Sequence, residues 1–503
     1  MNQEYEQLRK HIDKAMALGA ALTLFSWDAE TLAPEASMEH TAKTIGILSS
    51  EYFSTITNSE LKNLVNSLSN ENNQAELDFN EKAIVKKLKK SIEELENIPA
   101  EEYQAYSELS AKASGIWAKA KKNNSYEDFA PTLAEIIEYQ KKFVSYRNKE
   151  GLKPYDVLLN DYEESFNMEK LDIFFDKVKA TVIPLLSEVT KRKDSIETSY
   201  NTKTYNIAKQ KEFSTYIGEY VGFDYKRGVL AESAHPFTTQ LHNKDVRITT
   251  HYLENNLISS IFSVIHEAGH GIYEMNIDDA ITQTPVGQGS SMGIHESQSR
   301  FFENVIGRSK EFWTPIYSKL QDTFSENLKG VSLDEFIKGI NKSEPGLIRT
   351  EADELSYSLH VIIRYEIEKM IFGDEITVDE LPAIWNKKYE EYMGITPSTY
   401  AEGVLQDIHW AGGMFGYFPS YAIGSAISAQ IYSYMKTLIP VDEYLLEGNI
   451  TPIVDFLSTH IHKYGATMNT KELLLGMMNE EFNPDYYIEY LTNKYTKLYN
   501  LNK

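Results

Sequence analysis

The chain contains no cysteine. A disulfide framework, cysteine-ligated zinc or iron–sulfur centres and a thiol nucleophile are therefore excluded, and any metal must be held by nitrogen and oxygen donors. Proline and glycine are sparse, 15 and 26 in 503 residues, which leaves few breakers and suits long helices. Long apolar runs are missing as well, since none reaches the roughly 18 residues of a spanning helix. The closest is Ala15 to Phe25. Its leader carries Glu4, Glu6 and Asp13 against Arg9, Lys10 and Lys14, so it lacks the positive segment of a signal peptide and reads as a buried helix. The expected location is the cytoplasm. Basic residues are outnumbered 50 to 74, for a net charge of −24, so nucleic acid and anionic membrane are not expected partners.

What is present is the composition of a soluble globular chain, 42% apolar and 25% charged. The length allows about three domains or one large continuous fold. Residues 1–66 read as two helices with a break near Pro34, and the polar stretch 67–75 reads as a loop. Helical spacing of Ile84, Leu88, Ile92 and Leu95 marks 76–150, while 190–205 reads as a long loop or a helix end. Asp245 to Thr249 alternates polar and apolar, which is strand-like, and the segment before it is broken by Pro236. From 251 onward the helical pattern holds, punctuated at 285–293 and 412–424. The expected class is mainly α with a small hairpin or sheet. The alternating segment is a candidate edge strand, on which an extended peptide could lie through main-chain hydrogen bonds.

The chemistry is concentrated at His266-Glu267-Ala268-Gly269-His270, an HExxH motif. Histidines at i and i+4 project from one face of a helix, close enough to share one metal, and the glutamate between them points toward the attacking water. With 12 His and 74 acidic residues in 503, about 0.04 matches to H-[DE]-x-x-H are expected by chance. Flanking Leu257, Ile258, Ile261, Phe262, Ile265, Ala268, Ile272 and Met275 recur at helical spacing and place both histidines on one flank of an apolar stripe. A third ligand must come from elsewhere. Glu274 extends the same row and is poorly placed; Tyr273 and Asn276 stand where a metzincin requires Gly and His. A glutamate from a following helix remains, and the best donor is Glu296, near a first turn, with Glu303 seven residues on as an orienting group. The alternative for Glu296 is a solvated first-turn acid, which a helix N-terminus favours. Two histidines and a carboxylate leave a position for water, and metal-assisted amide hydrolysis is the natural reading.

The chain resembles the carboxypeptidase Taq family of metallocarboxypeptidases. The resemblance rests on His235-Pro236-Phe237, Asp245-x-Arg247-x-Thr249, the 266–270 motif, His295-Glu296-Ser297-Gln298, Ile348-Arg349-x-x-Ala352-Asp353 and Gly403-x-x-Gln406-Asp407-x-His409-Trp410, in that order. Trp27-Asp28 with Pro34 and the overall length agree, and one departure is Phe302, where that family more often has tryptophan. The resemblance implies a large helical fold similar to neurolysin and angiotensin-converting enzyme, with a deep central groove and a small sheet near the active site. It implies one catalytic domain over 1–503, an N-terminal part of about 1–210 forming a groove wall and a metal-bearing part from about 211. It further implies a homodimer that removes single C-terminal residues from peptides with broad specificity, and it makes Glu296 the third ligand. Zinc is the expected metal, with cobalt or manganese as substitutes.

Beside the resemblance, the residues point to further roles. Glu267 is the expected general base. A free carboxylate is suited to the rigid fork of arginine, and Arg349 and Arg247 are candidates; the alternative for Arg349 is an ion pair with Asp353 or Glu351. A donor to the developing oxyanion is sought among His235, His409 and Tyr421, the last at the end of a glycine- and aromatic-rich stretch that could close on substrate. His460 and His462, two residues apart on a helical pattern, diverge and are read as non-ligands.

Overall fold

The computed structural model describes residues 2–147 and 152–501. It is mainly helical, with three short strands among the described residues. The chain forms two compact units, and both are discontinuous. The first comprises Met1–Glu93, Thr198–Ile337 and Ile431–Glu481; the second comprises Glu94–Glu197, Lys338–Gln430 and Phe482–Lys503. No helix among the described residues is long and apolar enough to cross a membrane.

The first unit opens with the helix Gln3–Thr31, capped by Asn2, whose side-chain oxygen accepts from the amides of Glu4 and Tyr5. Two more helices follow, Met38–Ile56 and Ser59–Leu68, so the N-terminal segment holds three helices where the periodicity predicts two. The expected loop at 67–75 also shrinks, because Leu68 still belongs to a helix and Glu71–Gln74 forms a further turn. Leu8, Ile12 and Ala15 are buried, but the stretch expected to be buried opens outward beyond them, and Leu24 is 42% exposed. The cause lies in the neighbour: Met38–Ile56 packs along this helix, yet of its described side chains only Thr55 is buried, so it covers one side and is itself exposed.

The strands β1 (Gly228–Glu232), β2 (Thr238–His242) and β3 (Asp245–Thr250) form one sheet in the order β1-β3-β2. β3 runs parallel to β1 and antiparallel to β2, with a bulge between Gln240 and His242. The alternating segment 245–249 is therefore the central strand and not an edge. Alternation reports only that the two faces of a strand differ; it carries no information about which of its two sides are paired. The edge beside the functional residues is β2.

β3 packs against the helix Leu257–Met275, called here the histidine helix. Its apolar stripe is buried as the spacing predicts except at Ile258, which is half-buried, and Leu257, Ile265 and Ala268 are fully inaccessible. Ser291 then caps the short helix Met292–Arg300, the Glu296 helix, by accepting from the amide of Ile294. A π-helical turn, Phe301–Ile306, continues it. Phe302, the departure from the family pattern, is wholly buried there.

The second unit is built around the helix Glu354–Phe372, buried on almost every side and capped by Asp353, which accepts from the amides of Leu355 and Ser356. Glu368 lies inside it with no exposed surface. Its Oε2 accepts from the Tyr155 hydroxyl and the Gly416 amide, each at 2.7 Å, and its Oε1 accepts from Trp410 Nε1 at 2.8 Å. This carboxyl pins the glycine- and aromatic-rich stretch to the helix core. Burial outweighs the three donors and raises its pKa to about 7. A carboxyl raised in the folded state favours folding while it is protonated, and that contribution is lost as pH rises through the folded pKa. Across pH 4.5 to about 7 the thermal midpoint of the wild type should fall relative to that of Glu368→Gln, read as the difference between the two proteins' midpoints against pH.

Candidate metal centre

The i, i+4 spacing on the histidine helix brings the rings of His266 and His270 to 4.9 Å between centroids. Gly269, between them in sequence, faces the Glu296 helix. A Cβ there would stand 2.8 Å from Ser299 Cα and 2.9 Å from the Gln298 carbonyl oxygen, so glycine is what lets the two helices approach this closely. The approach places Glu296 Oε2 at 3.7 Å from His266 Nε2 and 3.5 Å from His270 Nε2. The three candidate ligand atoms lie within 4.8 Å of one another. Two imidazole nitrogens and a carboxylate oxygen, with no thiolate, are a donor set suited to a divalent cation.

Each of these donors is oriented from behind. His266 Nδ1 donates to Glu303 Oε2 at 2.8 Å, and Glu303 in turn accepts from Arg300 and Arg308. Arg300 Nε donates to Glu296 Oε1 at 2.6 Å, which leaves the other oxygen turned to the two histidines. Burial opposes the ionised form of Glu296, but Arg300 and the two imidazoles outweigh it and hold the carboxyl well below the usual range. Glu303 is held down to about 2 against its burial, first by Arg300 and then by His266. Burial, and after it His295, pushes His270 down to about 3, so its imidazole stays neutral, as a ligand must.

Glu267 is 7% exposed, and burial raises its proton affinity above that of an ordinary carboxylate. Thr238, the first residue of β2, donates its hydroxyl to Glu267 Oε2 at 2.6 Å. The sheet edge thus holds the carboxylate beside the candidate ligands. Thr238 directly follows His235-Pro236-Phe237, but nothing in the spacing marks it; only the sheet brings it to the histidine helix.

A family model for the carboxypeptidase Taq (M32) metallopeptidases matches residues 7–495. Carboxypeptidase 1 of Bacillus subtilis (strain 168) is 44% identical over 480 residues, 95% of each protein. The chain belongs to the carboxypeptidase Taq (M32) family. The crystal structure of the M32 carboxypeptidase from Deinococcus radiodurans R1 is similar at TM-score 0.95 and 29% identity, over 99% of this chain and 100% of that one. A structure of PZ peptidase A shares the fold alone, at TM-score 0.60 and 13% identity over 99% of this chain and 97% of that one. The protein is an M32 metallocarboxypeptidase, a family whose members use a divalent metal.

Other motif residues of this M32 chain are gathered in the second unit. Arg349 is 6% exposed, and its Nε and Nη2 donate to Asp407 Oδ1 at 3.0 and 2.8 Å. Its remaining edge donates to the Tyr357 hydroxyl, and its face lies 4.8 Å from the Tyr421 ring. The ion pair weighed from sequence, with Asp353 or Glu351, gives way to one with a residue 58 positions away, since Asp353 serves as the helix cap. Asp407 also accepts from Arg364 at 2.7 Å, so two guanidiniums share one carboxylate and leave a net positive charge in a buried cluster. His409 Nε2 and the Tyr421 hydroxyl meet at 3.3 Å in the same cluster, and burial, followed by Arg349, pushes His409 down to about 4.

Arg247 and His235 belong to the first unit. Arg247 closes its fork on Asp245 at 2.8 and 2.9 Å and stacks over Trp27. His235 is exposed, and its main-chain carbonyl accepts from Ser233. His462 Nε2 donates to Gln298 Oε1 at 2.9 Å, and His460 packs on Phe456; neither joins the metal-ligand group among the described residues. A net hydrogen bond of this kind is worth about 1 kcal/mol, and more to a charged group. Thr238→Val should therefore lower kcat about tenfold with little change in KM, and Thr238→Ser should restore most of it, measured by steady-state hydrolysis of a short peptide.

Proposed function

We propose that this M32 enzyme releases single residues from the C-termini of peptides with broad tolerance for the side chain removed, using zinc, and that 1–503 acts as one catalytic domain. The observation that carries the reading is the convergence of His266, His270 and Glu296 beside the buried carboxylate of Glu267. Those three residues would hold the metal. When bound, zinc supplies a Lewis acid that acidifies water and polarises the scissile carbonyl; cobalt or manganese suits the same donors. Glu267 takes a proton from the attacking water at its carboxylate and delivers it to the leaving amine. Its raised proton affinity and its hydroxyl partner Thr238 support that role.

Recognition of the terminal carboxylate is assigned to Arg349. The net positive charge that Arg349 and Arg364 retain around Asp407 is what an incoming carboxylate would neutralise. Arg247 is the weaker candidate: the forks of both arginines already hold a carboxylate, but Asp407 is shared between Arg349 and Arg364, whereas Asp245 pairs with Arg247 and no second guanidinium among the described residues. His409 and Tyr421 are the better-supported oxyanion donors, being hydrogen-bonded to each other next to Arg349; His235, exposed on its loop, remains the third. The enzyme is taken to act in the cytoplasm, as a homodimer.

Two experiments test this. Glu267→Gln should keep its metal by elemental analysis while kcat falls by about 100-fold to 10,000-fold; substantial surviving turnover would remove the proton-transfer role. A peptide with an amidated C-terminus should be cut far more slowly than its free-acid twin. Equal rates would mean that no carboxylate is recognised and would favour an endo-oligopeptidase or dipeptidyl carboxypeptidase.

A further inference from the structure

Behind His270 the structure holds a pair of groups to which the reaction assigns nothing. His270 Nδ1 lies 2.5 Å from His295 Nδ1, and His295 Nε2 lies 2.7 Å from Glu274 Oε1. We propose that His295 and Glu274 are positioning residues, a hydrogen-bonded relay that fixes the tautomer and orientation of His270 and strengthens its grip on the metal. The inference deepens the functional reading and rests on it, since it takes His270 as a ligand through Nε2.

Proton counting decides the direction of every bond. A neutral imidazole carries one proton, and the nitrogen that ligates must be free of it. Nε2 of His270 is the atom that faces Glu296, so the proton sits on Nδ1. That proton points at His295 Nδ1, which must accept it. The proton of His295 is then on Nε2, where it meets a carboxylate oxygen that can only accept. No atom in the chain is left with the wrong role.

Glu274 is 5% exposed, and no lysine or arginine pairs with it among the described residues. Its Oε1 also accepts from the Gly289 amide at 2.9 Å, and its Oε2 is buried with no hydrogen-bond partner. A buried carboxylate in this state needs a compensating cation, and the relay links it to one. His266 differs, because its carboxylate, Glu303, contacts it directly and is shared with two arginines.

The space around the relay is shaped for it. A Cβ on Gly289 would stand 2.3 Å from His295 Cδ2 and 3.0 Å from Tyr273 Cε1, so a side chain there would drive the imidazole out of line. Tyr273 in turn fixes the glycine loop by accepting from the Ser290 amide at 3.0 Å. His295 sits beside Glu296 in sequence, but its partner Glu274 lies on the histidine helix one turn past His270.

The test follows release of zinc from the loaded, full-length enzyme to an excess of chromogenic chelator, and the visible spectrum of the cobalt-loaded form. His295→Phe should speed zinc release about 10-fold to 100-fold. Glu274→Gln keeps the shape and both hydrogen bonds but removes the charge; it should speed release several-fold and shift the cobalt bands, which a role in packing alone would not do. Gly289→Ala should behave as His295→Phe. Release within twofold of wild type and an unshifted cobalt spectrum in Glu274→Gln would overturn the relay, and this isosteric variant decides the matter if His295→Phe does not fold. His270→Ala separates the two readings. If it binds zinc as wild type does, the ligand assignment itself fails; if it loses zinc while Glu274→Gln and His295→Phe hold it normally, only the relay fails.

Discussion

The centre depends on one close approach. Where Gly269 meets the backbone of Gln298 and Ser299, the histidine helix and the Glu296 helix come nearer than any side chain would permit. That contact turns two separate helices into one donor set, because it sets a single carboxylate oxygen within 3.5 and 3.7 Å of two imidazole nitrogens. Motif position four therefore does as much for the geometry as the histidines do for the chemistry. A methyl group there would separate the helices and undo the convergence while every candidate ligand remained in the sequence.

Around that contact, charge is used to hold groups in place. Arg300 reaches both Glu296 and Glu303, and Arg308 adds to Glu303, so the carboxylates are ionised and aimed before any ion arrives. The edge strand β2 contributes a hydroxyl to Glu267, and the carboxylate of Glu274 stands behind His295. Preorganisation of this kind spares the cost of ordering flexible side chains at the moment of binding. The second unit follows the same logic with the signs exchanged. There Asp407 holds two arginines, its carboxyl kept well below the usual range by Arg364 and Arg349 against the effect of burial. Glu368 shows the opposite outcome, where three neutral donors and a smaller contribution from the charge of Arg364 do not overcome burial and the carboxyl rises to about 7.

Much of this was legible in the residues alone. The absence of cysteine restricted the donors to nitrogen and oxygen, the i, i+4 histidines announced a shared ligand face, and the apolar recurrence from Leu257 to Met275 marked a buried helix. These features are local, governed by helical geometry and side-chain chemistry over a few turns. The extent of the first helices was less legible, because breakers such as Pro34 locate an interruption without saying how many helices lie beyond it, and because Leu24 is apolar yet exposed.

The sequence by itself determined the class of fold, the kind of donor available and the two histidines that share a face. Only the tertiary structure decided that β3 is the central strand, that Arg349 pairs with Asp407, and that Thr238, His295 and Glu274 stand around Glu267 and His270. The physical reason is range. Periodicity and residue type act along the chain, whereas these partnerships are hydrogen bonds and ion pairs across space, and they exist only once packing has brought remote segments to within about 3 Å.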